Sequence, residues 1–148
     1  MSGVPDPYHL RRFVEAQEGV YDKAVRELRA GCKRGHWMWF IFPQLKGLGR
    51  TVTAGHFGIG SLAEARAYLD HPVLGPRLRE CAVALVTLVG APPIEVILGG
   101  VDALKLRSSM TLFARAADGD DASLFESVLD RYYGGVADER TLGMLSAG

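Results

Sequence analysis

Residues able to do chemistry are densest between positions 33 and 44, where the chain reads KRGHWMWFIFPQ. Basic side chains and His36 precede the aromatic rings, and Gln44 follows them. An apolar segment with a few convergent polar groups is typical of a small-molecule site, here with Trp37 and Trp39 as its walls. His36 is a candidate catalytic group, because imidazole exchanges protons near neutral pH. The alternative interpretation is that the rings form only the centre of the core.

A second polar cluster lies in the stretch 104–113, which reads LKLRSSMTLF. Lys105, Ser108 and Ser109 share one side of a helix, because positions three and four apart adjoin. An ammonium group beside two hydroxyls suits a phosphate or a carboxylate. Lys105 is therefore the second candidate catalytic group, as a stabiliser of an anion or oxyanion; a nucleophilic Ser-Lys pair is conceivable but has no second motif behind it. The alternative is a solvated helix face beside the core.

Gln17 and Arg50 complete the candidate ligand-binding residues. Gln17 interrupts the otherwise apolar stripe of the first predicted helix. Arg50 lies in a glycine-rich stretch, residues 45–60, and meets an anion if this loop folds over the aromatic segment. The stretch holds neither the dinucleotide-binding pattern nor the P-loop pattern. A mobile connection is the alternative.

Metal ions and cofactors are not expected. The histidines stand far apart, and neither they nor the two cysteines show the paired spacing typical of zinc sites. The acidic run 118–121 lacks the ligand order and the distal glutamate of a calcium loop, and a helix cap explains it better. We therefore predict no metal site and no cofactor.

The elements that must position these residues are predicted to be helices. Asp6-Pro7 opens the first, because an N-cap acceptor followed by proline begins a helix. Apolar residues at three- and four-residue steps continue it to Leu28, and Gly31 ends it. The capping box Ser61–Glu64 opens another, which His71-Pro72 breaks. Further helices are expected up to about Val89, over 94–98, from Asp102 to about Ala117, from Asp121 to Tyr133, and from near Asp138.

Residues 37–42 are continuously apolar and end at Pro43. Six residues do not distinguish a buried helical turn from a short strand, and both remain open. No alternating strand pattern occurs elsewhere. We therefore predict an all-α fold: one domain over residues 1–148, a bundle of about six to seven helices with one irregular glycine-rich loop at 45–60, and disorder in residues 1–5.

The composition limits the classes of function. Apolar residues make up 48% of the chain, which is typical of a globular protein. Lysine plus arginine (17) balances aspartate plus glutamate (17), so nucleic acid is not an expected partner, and a homo-oligomer is not discouraged. The sequence has neither an apolar run long enough for a bilayer nor a signal-peptide pattern at its start. We therefore expect a cytoplasmic protein with no membrane partner.

Nearly the whole sequence, from about residue 6 to 145, resembles the bacterial domain-of-unknown-function family 1810. The resemblance rests on residues within the segments 12–21, 35–45, 75–78, 104–113 and 132–135. It implies a small all-helical domain with no established activity, so it carries no catalytic role to this chain. Members often bear the label calpastatin. A calpain inhibitor, however, is a disordered segment that folds on its protease, whereas this composition builds a core.

The function that these observations favour is binding of a small anionic or nucleotide-like ligand. The site would lie between the segment His36–Gln44 and the helix face Lys105–Ser109, with Gln17 contributing from the first helix. In an enzymatic version, His36 transfers a proton and Lys105 stabilises the anion, but the sequence does not decide whether there is catalysis. The alternative is a non-catalytic protein-interaction module or a homodimer, in which the aromatic segment is core or interface.

Overall fold

Residues 5–49 and 51–147 are described by the computed structural model. Within these ranges the only β pairing is an isolated bridge between Leu45 and Ile59, which confirms the all-α prediction. No helix in these two ranges is long and apolar enough to cross a membrane. Ten helices are found in the described ranges: α1 Arg11–Gln17, α2 Tyr21–Ala30, α3 Met38–Ile41, α4 Val52–His56, α5 Leu62–Asp70, α6 Leu74–Thr87, α7 Ile94–Leu98, α8 Gly100–Ala116, α9 Gly119–Tyr133 and α10 Glu139–Ala147.

The helices outnumber the predicted six to seven for two reasons. The first predicted helix is divided into α1 and α2 at Gly19, whose φ of +72° is left-handed, yet both halves bury the same apolar stripe. In addition, α3 and α4 are single turns of 4 and 5 residues, too short for periodicity to reveal. Because α4 lies at 52–56, the glycine-rich stretch 45–60 is not an irregular loop throughout.

Helix starts follow the predicted caps, with shifts of a few residues. The carboxylate of Asp6 accepts hydrogen bonds from the amides of Leu10 and Arg11, so the first helix begins after an extra turn. Ser61 accepts from the amide of Glu64 as predicted, but the Glu64 carboxylate returns to Gly60 rather than to Ser61 itself. Both α8 and α9 begin two residues before the predicted N-caps, Asp102 and Asp121.

Helix α8 is the central element of the bundle. It packs against α5, α7, α9 and α10, and each of its residues from Ser108 to Phe113 is buried. A chain of ring contacts crosses the core from α1 to α9 through Phe13, Tyr68, Phe113 and Phe125, with centroids 5.2 to 6.0 Å apart. The amino-terminal half of α8 lies nearer the surface, where Val101 and Leu104 are exposed.

Candidate functional site

The two segments singled out in the sequence meet at one cleft. The Lys105 ammonium lies 4.3 Å from the centroid of the Trp39 ring, which is cation–π distance. Trp39, Gln44 and Lys105 all line this cleft, and the remaining lining residues are Met38, Phe42, Ala54 and Phe57. The cleft therefore has aromatic and apolar walls and two polar side chains.

Helix α3 explains why only one of the two tryptophans faces the cleft. Residues two apart on a helix point to nearly opposite sides, since each step turns the chain by about 100°. Trp37 precedes the helix and is buried, with 1% of its surface exposed, whereas Trp39 is half-buried. Trp37 is not among the residues that line the cleft; its ring lies against Phe42 in the core, with centroids 6.4 Å apart.

Glu27 on α2 anchors the turn that leads into α3. One carboxylate oxygen accepts hydrogen bonds from the amides of Arg34 and Gly35 and from the indole N–H of Trp37, at 2.7 to 2.9 Å. Burial raises the pKa of the Glu27 carboxyl, but these three hydrogen bonds and the nearby Lys33 outweigh burial and lower the pKa. The indole N–H thus has the partner that its burial requires.

Asp102 joins two lysines at the edge of the cleft. Its carboxylate lies 2.9 Å from the ammonium of Lys33 and 3.6 Å from that of Lys105. The Lys33 side chain is only 9% exposed, and its ammonium also lies 5.1 Å from the Trp37 ring. Sequence reasoning did not propose Lys33 or Asp102 as site residues, although the spacing of Asp102 and Lys105 by three positions indicated that they adjoin.

The polar groups of the cleft have few protein partners. The Lys105 ammonium finds no hydrogen-bond acceptor among the described residues, since 3.6 Å to Asp102 is too long for one. The side-chain amide of Gln44 also makes no hydrogen bond within that part of the chain, although its backbone carbonyl accepts from Ile59. The cleft itself is narrow. Its free volume is about 10 Å³, roughly the space of one water molecule.

Gln17 supports the cleft from behind. Its amide N–H groups donate to the backbone carbonyl of Phe40 at 2.7 Å and to the Tyr68 hydroxyl at 3.3 Å, and its amide oxygen accepts from Arg77 at 3.1 Å. Gln17 is 1% exposed and does not line the cleft. Gln17, the polar residue that interrupts the apolar stripe of the first helix, therefore holds α3 in position through Phe40.

The two serines lie inside the bundle, away from the cleft lining. The Ser108 hydroxyl donates to the carbonyl of Leu104, one turn earlier on α8, at 3.2 Å. The Ser109 hydroxyl is buried without a hydrogen-bond partner in the described part of the chain. The Thr111 hydroxyl also donates to the preceding turn, at the carbonyl of Arg107, so α8 itself provides an acceptor for Ser108 and Thr111 but not for Ser109.

Of the remaining candidates, one does not line the cleft and the other lies outside the described residues. His36 is exposed and is not among the residues that line the cleft. Arg50 and residues 1–4 lie outside the described residues. Within those residues, no group of three or more potential metal ligands converges.

Arg12 on α1 holds the opposite wall of the cleft, and sequence reasoning missed it. Its guanidinium donates to the carbonyls of His56 and Gly58, which flank the cleft residue Phe57. It also pairs with Glu64 at 2.8 Å, where both side chains are at most 10% exposed. Its position beside Phe13 in an amphipathic helix gave no signal, because its partners at the cleft, His56, Gly58 and Glu64, lie more than forty residues away.

Comparisons with known proteins agree with this fold. The family model described as "Protein of unknown function (DUF1810)" matches residues 7–145. The crystal structure of the conserved hypothetical protein Rv1873 from Mycobacterium tuberculosis is similar, with 55% sequence identity and a TM-score of 0.91. The match covers 95% of this chain and 99% of that one. No curated protein matches the sequence.

Proposed function

The chain belongs to the family described as "Protein of unknown function (DUF1810)", and we propose that it binds a small anionic ligand with an aromatic part in the cleft between Trp39 and Lys105. One observation carries the proposal. Of the polar side chains that line the cleft, Lys105 and Gln44 have hydrogen-bonding groups with no protein partner among the described residues. A ligand carboxylate or phosphate would accept from both.

The charges around Asp102 support an anion rather than a cation. The Asp102 carboxylate lies closer to Lys33, at 2.9 Å, than to Lys105, at 3.6 Å. Lys105 is therefore the less completely neutralised of the two cations, and it is the one that lines the cleft. A charge-assisted hydrogen bond from an ammonium to a phosphate or carboxylate is roughly twice as strong as a neutral one. Trp39 provides a half-buried ring on which an aromatic ligand group stacks.

The narrow cleft requires a movement before a nucleotide-sized ligand enters. Ala54 of α4 and the following residue Phe57 form one wall. None of the residues of α4 is buried, so a movement of its amino-terminal part, with His56 still held by Arg12, exposes little apolar surface. Elements with few buried contacts open at low free-energy cost. We therefore place the opening at α4, while α3 stays fixed by Gln17 and Glu27 on its other side.

Binding of adenosine 5′-monophosphate, compared with uncharged adenosine, tests the proposal. We expect the monophosphate to raise the melting temperature and to quench Trp39 fluorescence, with adenosine much weaker. Lys105→Met should remove this preference for the charged ligand, because it removes the ammonium and keeps the stem. Arg115→Met is the matched control, since Arg115 is an exposed cation about 15 Å further along α8.

Three results would refute the proposal: no response to the monophosphate, equal responses to both ligands, or a preference that persists in Lys105→Met. Circular dichroism of each variant shows whether its fold is intact. A catalytic role for His36 stays a prediction, because it needs His36 to approach a bound ligand. The alternative of an interaction module or homodimer also stays a prediction; the exposed aliphatic side chains of Val96, Val101 and Leu104 are the ones it would use.

A further inference from the structure

A second concave surface lies beside Glu27 on α2. It is formed by α2 and the turn after it, and has a free volume of about 500 Å³. Its lining residues are Lys23, Arg26, Glu27, Ala30, Cys32 and Arg34. This surface is wide and open, unlike the cleft at Trp39, and shares no lining residue with it.

The cations of this surface are unpaired within the described part of the chain. Lys23, Arg26 and Arg34 are exposed, and none has a carboxylate oxygen within 4.0 Å there. Neighbouring cations differ in this respect, since Arg29 pairs with Glu80 and Lys33 with Asp102. In a chain with no formal net charge, three cations around one concavity are a local excess of positive charge.

The single acid among these lining residues, Glu27, uses one of its two carboxylate oxygens to hold the fold. Glu27 accepts its three hydrogen bonds from the turn at 34–37, which fixes the backbone at Arg34 and thereby brings a loop cation towards the two helix cations. Lys23 and Arg26 are three positions apart on α2, so their side chains adjoin. One carboxylate against three cations leaves the surface positive.

We propose that this concavity is a second, separate site, which binds a multivalent phosphate anion. Two guanidinium groups favour phosphate, because their planar N–H pairs match two oxygens at once. More than one negative charge on the ligand is needed, since the cations are exposed and salt screens each contact. The proposal does not depend on the cleft at Trp39.

Cys32 provides a reporter inside the proposed site. The chain has two cysteines, and the other, Cys81, is buried, which raises the pKa of its thiol to about 12. Thiol reagents therefore react with Cys32. In the exchange the Cys32 thiolate attacks one sulfur of a disulfide reagent, a mixed disulfide forms, and the other half leaves as a thiolate. The rate of reaction with the dianionic reagent 5,5′-dithiobis(2-nitrobenzoate) depends on the charge around Cys32. The rate with the neutral reagent 4,4′-dithiodipyridine corrects for the thiolate fraction and for the exposure of the sulfur.

The experiment measures both reaction rates on the full chain at low ionic strength, with and without inorganic pyrophosphate. We expect pyrophosphate to slow the anionic reagent more than the neutral one. Arg26→Gln and Arg34→Gln should each lower the anionic-to-neutral rate ratio about two- to fivefold, the effect of one unit charge a few ångströms away in water, and should weaken the protection. Arg29→Gln is the control on the same helix, because Arg29 is paired with Glu80.

Equal ratios in Arg26→Gln, Arg34→Gln and Arg29→Gln would overturn the proposal, as would an absence of protection by pyrophosphate. Protection by heparin without protection by pyrophosphate would also overturn it, in favour of a surface for extended polyanions. Lys105→Met should leave both rates unchanged, so this result is independent of the test of the cleft.

Discussion

Replacing Arg12 with lysine tests how the wall of the cleft is held. The guanidinium of Arg12 makes five hydrogen bonds, to the carbonyls of Tyr8, His9, His56 and Gly58 and to the Glu64 carboxylate, at 2.6 to 2.9 Å. Its side chain is 10% exposed, so water replaces few of them. An ammonium has three donors, and Arg12→Lys therefore loses at least two of these five hydrogen bonds. At about 1.5 to 3 kcal/mol for each hydrogen bond to a charged group, we expect a loss of about 3 kcal/mol in the free energy of unfolding.

Arg11 provides a matched control on the same helix. Its side chain is 67% exposed, and its one ion pair, with Glu15, spans 3.3 Å. We expect Arg11→Lys to cost less than ~0.5 kcal/mol, because exposed pairs contribute little. Urea unfolding followed by circular dichroism gives both values, provided that the two variants show the same dependence on denaturant.

Arg12→Met separates the ion pair from the carbonyl contacts. Among the described residues it leaves the buried Glu64 carboxylate with only the amide of Gly60 as a partner, and removing one member of a buried pair costs roughly 3–5 kcal/mol. We therefore expect the methionine variant to be less stable than the lysine variant. The reasoning is wrong if Arg12→Lys lies within ~0.5 kcal/mol of Arg11→Lys, since the carbonyl contacts would then contribute nothing measurable.

Two further outcomes are expected from Glu27 and from two glycines. The pKa of Glu27 is lowered below its ordinary 4.5, so its stabilising effect is present above pH 4.5 and is lost as the pH falls through the folded-state value. Glu27→Gln should therefore cost about 1 kcal/mol at pH 7 and make unfolding less acid-dependent below pH 4.5, measured by urea titration at each pH. A Cβ at Gly58 would lie 2.7 Å from the Cα of Lys46, whereas one at Gly55, within α4, meets nothing within 4 Å. In thermal melts, Gly58→Ala should destabilise the protein by about 1–3 kcal/mol, whereas Gly55→Ala should be neutral or stabilise it by up to ~1 kcal/mol. Equal effects would show that the backbone at Lys46 moves away from residue 58 without measurable cost.

Local signals predicted most of the fold. Caps and breakers act over a few residues, so Ser61, His71-Pro72 and Asp138 marked helix ends that are found close to those positions. The division of the first helix at Gly19 was harder to predict, because both halves bury one continuous stripe. Single turns such as α3 have no periodicity at all.

The candidate site was predictable only in part, because its geometry depends on long-range packing. Trp39, Gln44 and Lys105 line one cleft. Their residue types made them candidates, because polar groups beside large rings are typical of a binding site. Which of the two tryptophans faces the cleft, and which faces the core, depends on the rotation of the single turn α3. That rotation is fixed by the hydrogen bonds of Gln17 to Phe40 and of Glu27 to Trp37, which join residues 23 and 10 positions apart. The burial of Ser109 likewise follows from the central place of α8 in the bundle.

Two carboxylates have other partners close to the cations of the two proposed sites. Glu27 uses one of its oxygens on a turn and an indole, and in the described part of the chain Lys23, Arg26 and Arg34 have no carboxylate within 4.0 Å. Asp102 pairs most closely with Lys33, and therefore leaves Lys105 less neutralised. Since both carboxylates also fix the residues around α3, removing either should change stability and anion binding together. Removing one of the cations proposed to bind an anion, such as Lys105 or Arg26, should change the proposed anion binding alone.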